Sequence, residues 1–205
     1  MKLRPFITRL APACAAAVLL AGCLFKPVTA NTRRFVLTPK PASTNVAAPN
    51  VHLPVGVGLV KLPPYLQQPS IAIRTSANEI DYLETSQWAE RLDQAFQRTL
   101  AANLSVMIPT DQIRLSSWER GEVAVAVTVN VEQFDVDAQG HGTLTAWWRI
   151  TAPASNKVLK SGESRLSNQG PSPYAEPQSV AATLSDLTAQ LSEALAQAIR
   201  EVGER

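Results

Sequence analysis

The strictest pattern in the chain is Val123, Val125, Val127, Val129 and Val131, with Ala124, Ala126, Thr128 and Asn130 between them and Glu132 after the last. A period of two puts the valines in one row on one face, so the segment predicts a strand buried on one side. The apolar parity then changes, because Phe134 and Val136 fall on even numbers. One extra residue near Glu132-Gln133, as a bulge or bend, accounts for the change. Gln139-Gly140-His141-Gly142 predicts the turn, and Leu144, Ala146, Trp148 and Ile150 the returning strand. Val158 to Leu166 predicts a third strand after a turn at Pro153 to Asn156, completing an antiparallel meander. Adjacent Trp147 and Trp148 must point to opposite faces of their strand, one into the core and the other over a helix or out toward a partner.

Upstream, Arg34-Phe35-Val36-Leu37-Thr38 is an isolated apolar segment that predicts one short strand, followed by a loop through Pro39, Pro41 and Pro49. Between Val51 and Lys61, Val55, Val57 and Leu59 alternate with Gly56 and Gly58. That suits a strand whose glycine face lies under something bulky, and Pro63-Pro64 ends it because two amides are missing. Ile71 and Ile73, then Ile80, Tyr82 and Leu83, predict a hairpin around Ser76-Ala77-Asn78. Ser86 is a candidate cap for a helix whose stripe is Trp88, Leu92, Ala95, Phe96, Thr99, Leu100 and Leu104, with Glu90, Arg91, Gln94, Gln97 and Arg98 facing outward. Asn168 to Pro177 reads as irregular. Beyond it, Val180, Leu184, Leu187, Leu191, Leu195, Ala198 and Val202 mark a long amphipathic helix, packed on a sheet or forming a coiled coil. The sum is an α/β (α+β) sandwich with a mixed, largely antiparallel sheet and two long helices.

The amino end changes the picture. Lys2, Arg4 and Arg9 precede an uncharged run from Leu10 to Phe25 that contains Leu20-Ala21-Gly22-Cys23. A basic start, a short apolar stretch and small residues before a cut are the features of a secretory signal, and the stretch falls short of the roughly 20 apolar residues of a membrane span. The tetrapeptide resembles a lipobox, in which the cysteine carries S-diacylglycerol and an N-acyl chain such as palmitate. The expected organisation is a signal peptide over 1–22, a lipidated tether with one short strand over 23–50, and a single domain over 51–205. Cys23 is then the lipidation site and the membrane anchor, and Cys14 leaves with the signal. Leu24 and Phe25 after the cysteine favour the periplasmic face of the outer membrane. Cleavage removes three basic groups, so a net charge of +2 becomes −1, which offers no electrostatic case for nucleic acid.

Candidate chemistry is sparse. The two histidines, His52 and His141, stand in or beside turns with no ligand-spaced partners, so no metal site is expected. No serine occupies a Gly-x-Ser-x-Gly elbow, and Gly56-Val57-Gly58 lacks the third glycine and following helix of a dinucleotide fingerprint. Asp135 and Asp137 on one strand make a poor calcium site without further oxygen ligands. The expectation is no catalytic residue, no cofactor and no enzyme. Leu62-Pro63-Pro64-Tyr65-Leu66 is an apolar, stiff segment, so Leu62, Pro63, Tyr65 and Leu66 are candidate docking residues, with burial against the first helix as the alternative.

Several of these segments together resemble a known family. The lipobox, Arg34-Phe35-Val36-Leu37, the run from Val55 to Ile71 with its Gly-x-Gly, Leu-Pro-Pro-Tyr-Leu and Pro-Ser-Ile order, and Trp88-Ala89-Glu90-Arg91-Leu92 are similar to the ABC-type transport auxiliary lipoproteins (PqiC/YmbA-like). The resemblance implies a sandwich akin to the TolB amino-terminal domain. It also implies an outer-membrane-anchored accessory subunit that partners an MCE-domain protein and an ABC permease and ATPase in intermembrane lipid transport. A lipid or small-ligand carrier lipoprotein, and a structural envelope lipoprotein that forms a homo-oligomer through its last helix, are the other readings.

Overall fold

The protein is described by a computed structural model covering residues 31–40, 53–108, 110, 112–119 and 121–203. Cys14, Cys23, Leu24, Phe25, His52 and the cleavage site lie outside the described residues. The elements run β1 (Arg33–Phe35), β2 (Val55–Val57), a 3-10 turn (Pro64–Gln67), β3 (Ser70–Ser76), β4 (Glu79–Trp88), α1 (Leu92–Met107), β5 (Ile113–Leu115), β6 (Val125–Asp137), β7 (His141–Ala152), β8 (Lys157–Gln169) and α2 (Gln178–Gly203).

β6 is the spine of an eight-stranded mixed sheet. Its alternating valines turn one face to the core, and one of its edges pairs with β7 in a long antiparallel ladder, as β7 pairs with β8. The register slips between Val131 and Gln133, which leaves Glu132 as the extra residue of a bulge and moves Phe134 and Val136 onto the core face. The other edge of β6 is shared. β2 pairs in parallel with Val125 to Val127, and β3 pairs in parallel with Val136 and Asp137. β5 extends the sheet beyond β2, and β4 then β1 extend it beyond β3, so the sheet forks on that side. Residues 58–61 run along the crotch of the fork, with Gly58 N–H on Val127 O at 2.8 Å and Lys61 N–H on Val129 O at 3.0 Å.

Both helices cover one face. In α1, Leu92, Ala95, Phe96, Leu100 and Leu104 are buried, and the Phe96 ring meets Phe134 edge-on at 4.9 Å. In α2, Val180, Leu184, Leu187, Leu191 and Leu195 form the buried stripe, and the helix lies on β6, β7, β8 and α1. Three hydroxyls on α2 bond to carbonyls one turn back, Ser185 to Ala181, Thr188 to Leu184 and Ser192 to Thr188. Buried polar side chains are thereby satisfied, and their small size lets neighbours come close. Trp148 lies on the helix face over Gly162, with its indole N–H on Ser164 Oγ at 3.0 Å, while Trp147 stands on the opposite face.

Several expectations need correction. Ser86 is buried within β4 and caps nothing, because pairing of β1 with Ser86, Gln87 and Trp88 carries the strand through those residues. α1 therefore starts at Leu92, behind Arg91, with no side-chain cap. Gln97 faces inward, where its amide donates to Val57 O at 2.8 Å and Ser116 Oγ at 3.1 Å. Leu59 is 65% exposed and Val60 is buried in its place, since the chain changes parity after β2. His141 and Gly142 belong to β7, leaving residues 138–140 as the turn, with Gly140 at φ +90. The body also begins before residue 51. β1 is part of the sheet and Leu37, 1% exposed, is part of the core.

The bulky cover expected over the glycine face is Trp118. A Cβ at Gly56 would fall 2.8 to 2.9 Å from three of its ring carbons, so only hydrogen fits there.

Candidate functional site

The 62–67 segment is where the expected docking residues meet the fork. Pro64 opens the 3-10 turn, where its missing amide costs nothing, and Leu66 N–H closes it on Pro63 O at 3.0 Å. One turn of this kind sends alternate side chains in different directions. Leu62 and Leu66 point into the core and are buried, at the α1 amino end beside Leu92. They do not form a docking surface with Pro63 and Tyr65. The apolar character of these two leucines reflects packing, and Pro63 and Tyr65 stay partly accessible.

Tyr65 projects toward the other face and joins a polar cluster around Asp135. The Asp135 carboxylate is 2% exposed and accepts four bonds. Arg74 forks onto it through Nε at 3.1 Å and Nη2 at 2.7 Å, the Tyr65 hydroxyl donates at 2.7 Å, and the Gln133 amide donates at 2.9 Å. The Arg74 guanidinium also sits 5.9 Å from the centroid of the Tyr65 ring. Tyr82 completes the arrangement by donating its hydroxyl to Tyr65 O at 3.0 Å, which fixes the backbone of the turn. Arg74 comes from β3, Asp135 from β6 and Tyr82 from β4, so the cluster ties together the elements on one branch of the fork.

Its electrostatics follow from burial and charge. Burial, then the bond to the Asp135 carboxylate, pushes the Tyr65 phenol well above its usual range. The bond to Asp135 likewise raises Arg74. Tyr65 is thus held as a neutral donor and Arg74 as a permanent cation, with every carboxylate oxygen engaged. A group held this way orients a segment and is not available as a proton acceptor or nucleophile.

The second calcium candidate is similarly occupied. Asp137 Oδ1 accepts the backbone N–H groups of Gln139 and His141, each at 2.9 Å, and so shapes the turn between β6 and β7. His141 is exposed at the start of β7. No group of three or more His, Cys, Asp or Glu residues converges among the described residues.

Sequence reasoning missed the cluster. Alternation with core-facing Phe134 and Val136 puts Asp135 on the opposite face, where it reads as solvent-exposed, and only the structure shows it to be 2% exposed. Nothing in the sequence identifies Arg74, 61 residues earlier, as its partner.

A second structural feature concerns the join between the tether and the body. After β1 the chain is strapped between the helices. Thr38 N–H donates to Ser185 Oγ at 3.0 Å, Lys40 N–H donates to Asn103 Oδ1 at 3.0 Å, and Arg98 donates to Leu37 O at 3.2 Å. Lys40 also pairs with Asp186. Asn103 in turn donates to Ser192 Oγ at 3.1 Å, so both helices share the strap.

Comparison with known proteins fits this architecture. The fold matches protein XCC0632 from Xanthomonas campestris with a TM-score of 0.72 at 15% identity, covering 84% of this chain and 97% of that one. A second solved structure, of an uncharacterised protein, matches with a TM-score of 0.62 at 22% identity, covering 80% and 99%. At these identities the likeness shows the fold alone. No curated protein gives a significant sequence match. The family model described as ABC-type transport auxiliary lipoprotein component matches residues 35–196. Reaching from β1 to the last turns of α2, that match establishes that the chain belongs to the ABC-type transport auxiliary lipoprotein component family.

Proposed function

We propose that this chain is a lipid-anchored periplasmic accessory subunit of an intermembrane lipid transport system, held on the outer membrane through acyl chains on Cys23. Its partners in this reading are an MCE-domain protein and the associated ABC permease and ATPase, and it performs no chemistry of its own. Family membership supplies the transport context.

The observation that carries the reading is the strap at residues 37–40. A membrane anchor positions a body only if the connection is firm, and here residues 37–40 are bound by five polar contacts and by the buried Leu37 side chain. Cys23 precedes Arg33 by ten residues, which at about 3.5 Å each reach at most about 35 Å. The body therefore works within a few nanometres of the bilayer. Three acyl chains at about 0.8 kcal/mol per buried methylene make such an anchor lasting.

The test is affinity purification of the tagged chain from detergent-solubilised envelopes of its own cells. Recovery of permease, ATPase or MCE-domain components is the expected result. Their absence under conditions that keep the transporter itself intact would count against the proposal.

A further inference from the structure

On the sheet face away from the helices, two cross-strand rows run side by side. Lys61 pairs with Asn130, and Asn130 with Trp147. In the next row Thr128 pairs with Arg149, and Leu59 stands beside Thr128. The four long side chains wall an open trough of 440 Å³, and the short Thr128 and Asn130 form its floor. Neighbouring strands are about 4.8 Å apart, so the walls rise from Cα positions about 10 Å apart, which is room for one extended chain.

Each wall carries one apolar and one cationic side chain, set diagonally. Leu59 is 65% exposed and Trp147 is 49% exposed. Trp147 is also held in place, since its indole N–H donates to Glu132 at 2.9 Å. Lys61 and Arg149 are exposed, and neither side chain has an ion pair among the described residues. Of the nearby acids, Glu163 pairs with Arg165 at 2.7 Å, while Glu132 accepts from the neutral Trp147 indole and keeps its charge, so the two cations outnumber one acid and the trough is net positive. An oriented tryptophan beside an arginine is the composition of an interface hot spot, and two uncommitted cations set the sign of what binds.

We propose that this trough docks an extended segment of a protein partner in which an Asp or Glu is flanked by apolar side chains. The carboxylate lies between Lys61 and Arg149, the apolar groups rest on Trp147 and Leu59, and the Thr128 and Asn130 side chains face the bound backbone. A recessed polar floor favours a peptide over a lipid surface, which would touch only the rims. This deepens the preceding proposal, because it rests on the chain acting as a docked subunit and gives the chemistry of one docking site.

The experiment is selection of random dodecapeptides displayed on phage against the full chain purified in detergent micelles. The expected peptides carry Asp or Glu within two residues of an apolar side chain and bind less tightly as salt rises. Lys61→Glu with Arg149→Glu, and separately Trp147→Ala, should each weaken them at least about tenfold while leaving thermal unfolding unchanged. Selected peptides without acidic residues, or binding indifferent to all three substitutions, overturn the proposal. So does equal dependence on Lys61 and Arg149 for binding mixed micelles of phosphatidylglycerol, or self-association that Trp147→Ala abolishes. No transporter component is present in the selection, so its failure leaves the proposed transport role standing.

Discussion

The hydroxyl of Tyr65 and the carboxylate of Asp135, 70 residues apart in sequence, meet at 2.7 Å on the branch of the sheet where β3 joins β6. That contact decides how the proline-rich segment is presented. It fixes Tyr65, whose side chain packs against the edge of the core that Leu62 and Leu66 enter, with its hydroxyl on the carboxylate that also holds Arg74. The pair converts an apolar stretch of sequence into a turn with a fixed orientation.

Removing the carboxylate should be costly. Asp135→Ala removes the acceptor of four hydrogen bonds at once, while the Arg74 side chain, 25% exposed, can still be hydrated, so the loss should be about 2–3 kcal/mol. Tyr65→Phe deletes one hydrogen bond and should cost about 1 kcal/mol. Urea unfolding of both variants checks the order. Equal losses would mean that the carboxylate is not the centre of the cluster.

The same tyrosine gives a pH dependence with a definite sign. Its phenol is raised in the folded state, so the stabilisation is present below the unfolded value of about 10 and is lost as pH rises beyond it. Stability measured from pH 9 upward should therefore fall more steeply for the parent than for Tyr65→Phe. Parallel curves for the two proteins would contradict the placement of the hydroxyl on Asp135.

Gly56 and Trp118 should show strong coupling. Gly56→Ala puts a methyl group inside contact distance of the indole and should destabilise by about 1–3 kcal/mol, the usual cost of overpacking. In a Trp118→Ala background the same substitution should cost much less. A double-mutant cycle by thermal unfolding measures the difference, and additive effects would show that the ring does not lie on the glycine.

The strap can be probed locally. Asn103→Ala removes the acceptor for Lys40 N–H and the donor to Ser192 together. Hydrogen exchange at Lys40 should accelerate markedly, with a global loss of about 1–2 kcal/mol. Unchanged exchange there would mean that the join does not depend on Asn103.

Much of this architecture was legible from periodicity, and the exceptions have identifiable causes. The valine alternation located β6, and the parity change after Val131 located the bulge, because side-chain direction in a strand depends only on odd and even positions. The stripe from Trp88 to Leu104 and the one from Val180 to Val202 located both helices for the analogous reason, except that Trp88 ends β4 and the helix begins only at Leu92. Ser86 misled because a serine before an apolar stripe looks the same whether it caps a helix or pairs in a strand, and the decision lay with β1, more than 50 residues away. Gln97 misled because its inward course depends on two distant acceptors, the Val57 carbonyl, which also takes Ser116 N–H, and the Ser116 hydroxyl. The glycine face announced a bulky neighbour without naming Trp118, and the 62–66 segment announced apolar surface without telling packing from docking. In each case the deciding partner was distant in the chain and carried no periodic signal.

In the proposed role, a lipid on one sulfur holds this body at a membrane where it serves a transporter. The most direct test compares the parent with Cys23→Ala by envelope fractionation and by the mass of the mature amino terminus. The account predicts a triacylated fragment and outer-membrane fractionation for the parent, with loss of both in the variant. A variant cut at the same bond and retained on the membrane as fully as the parent would contradict it.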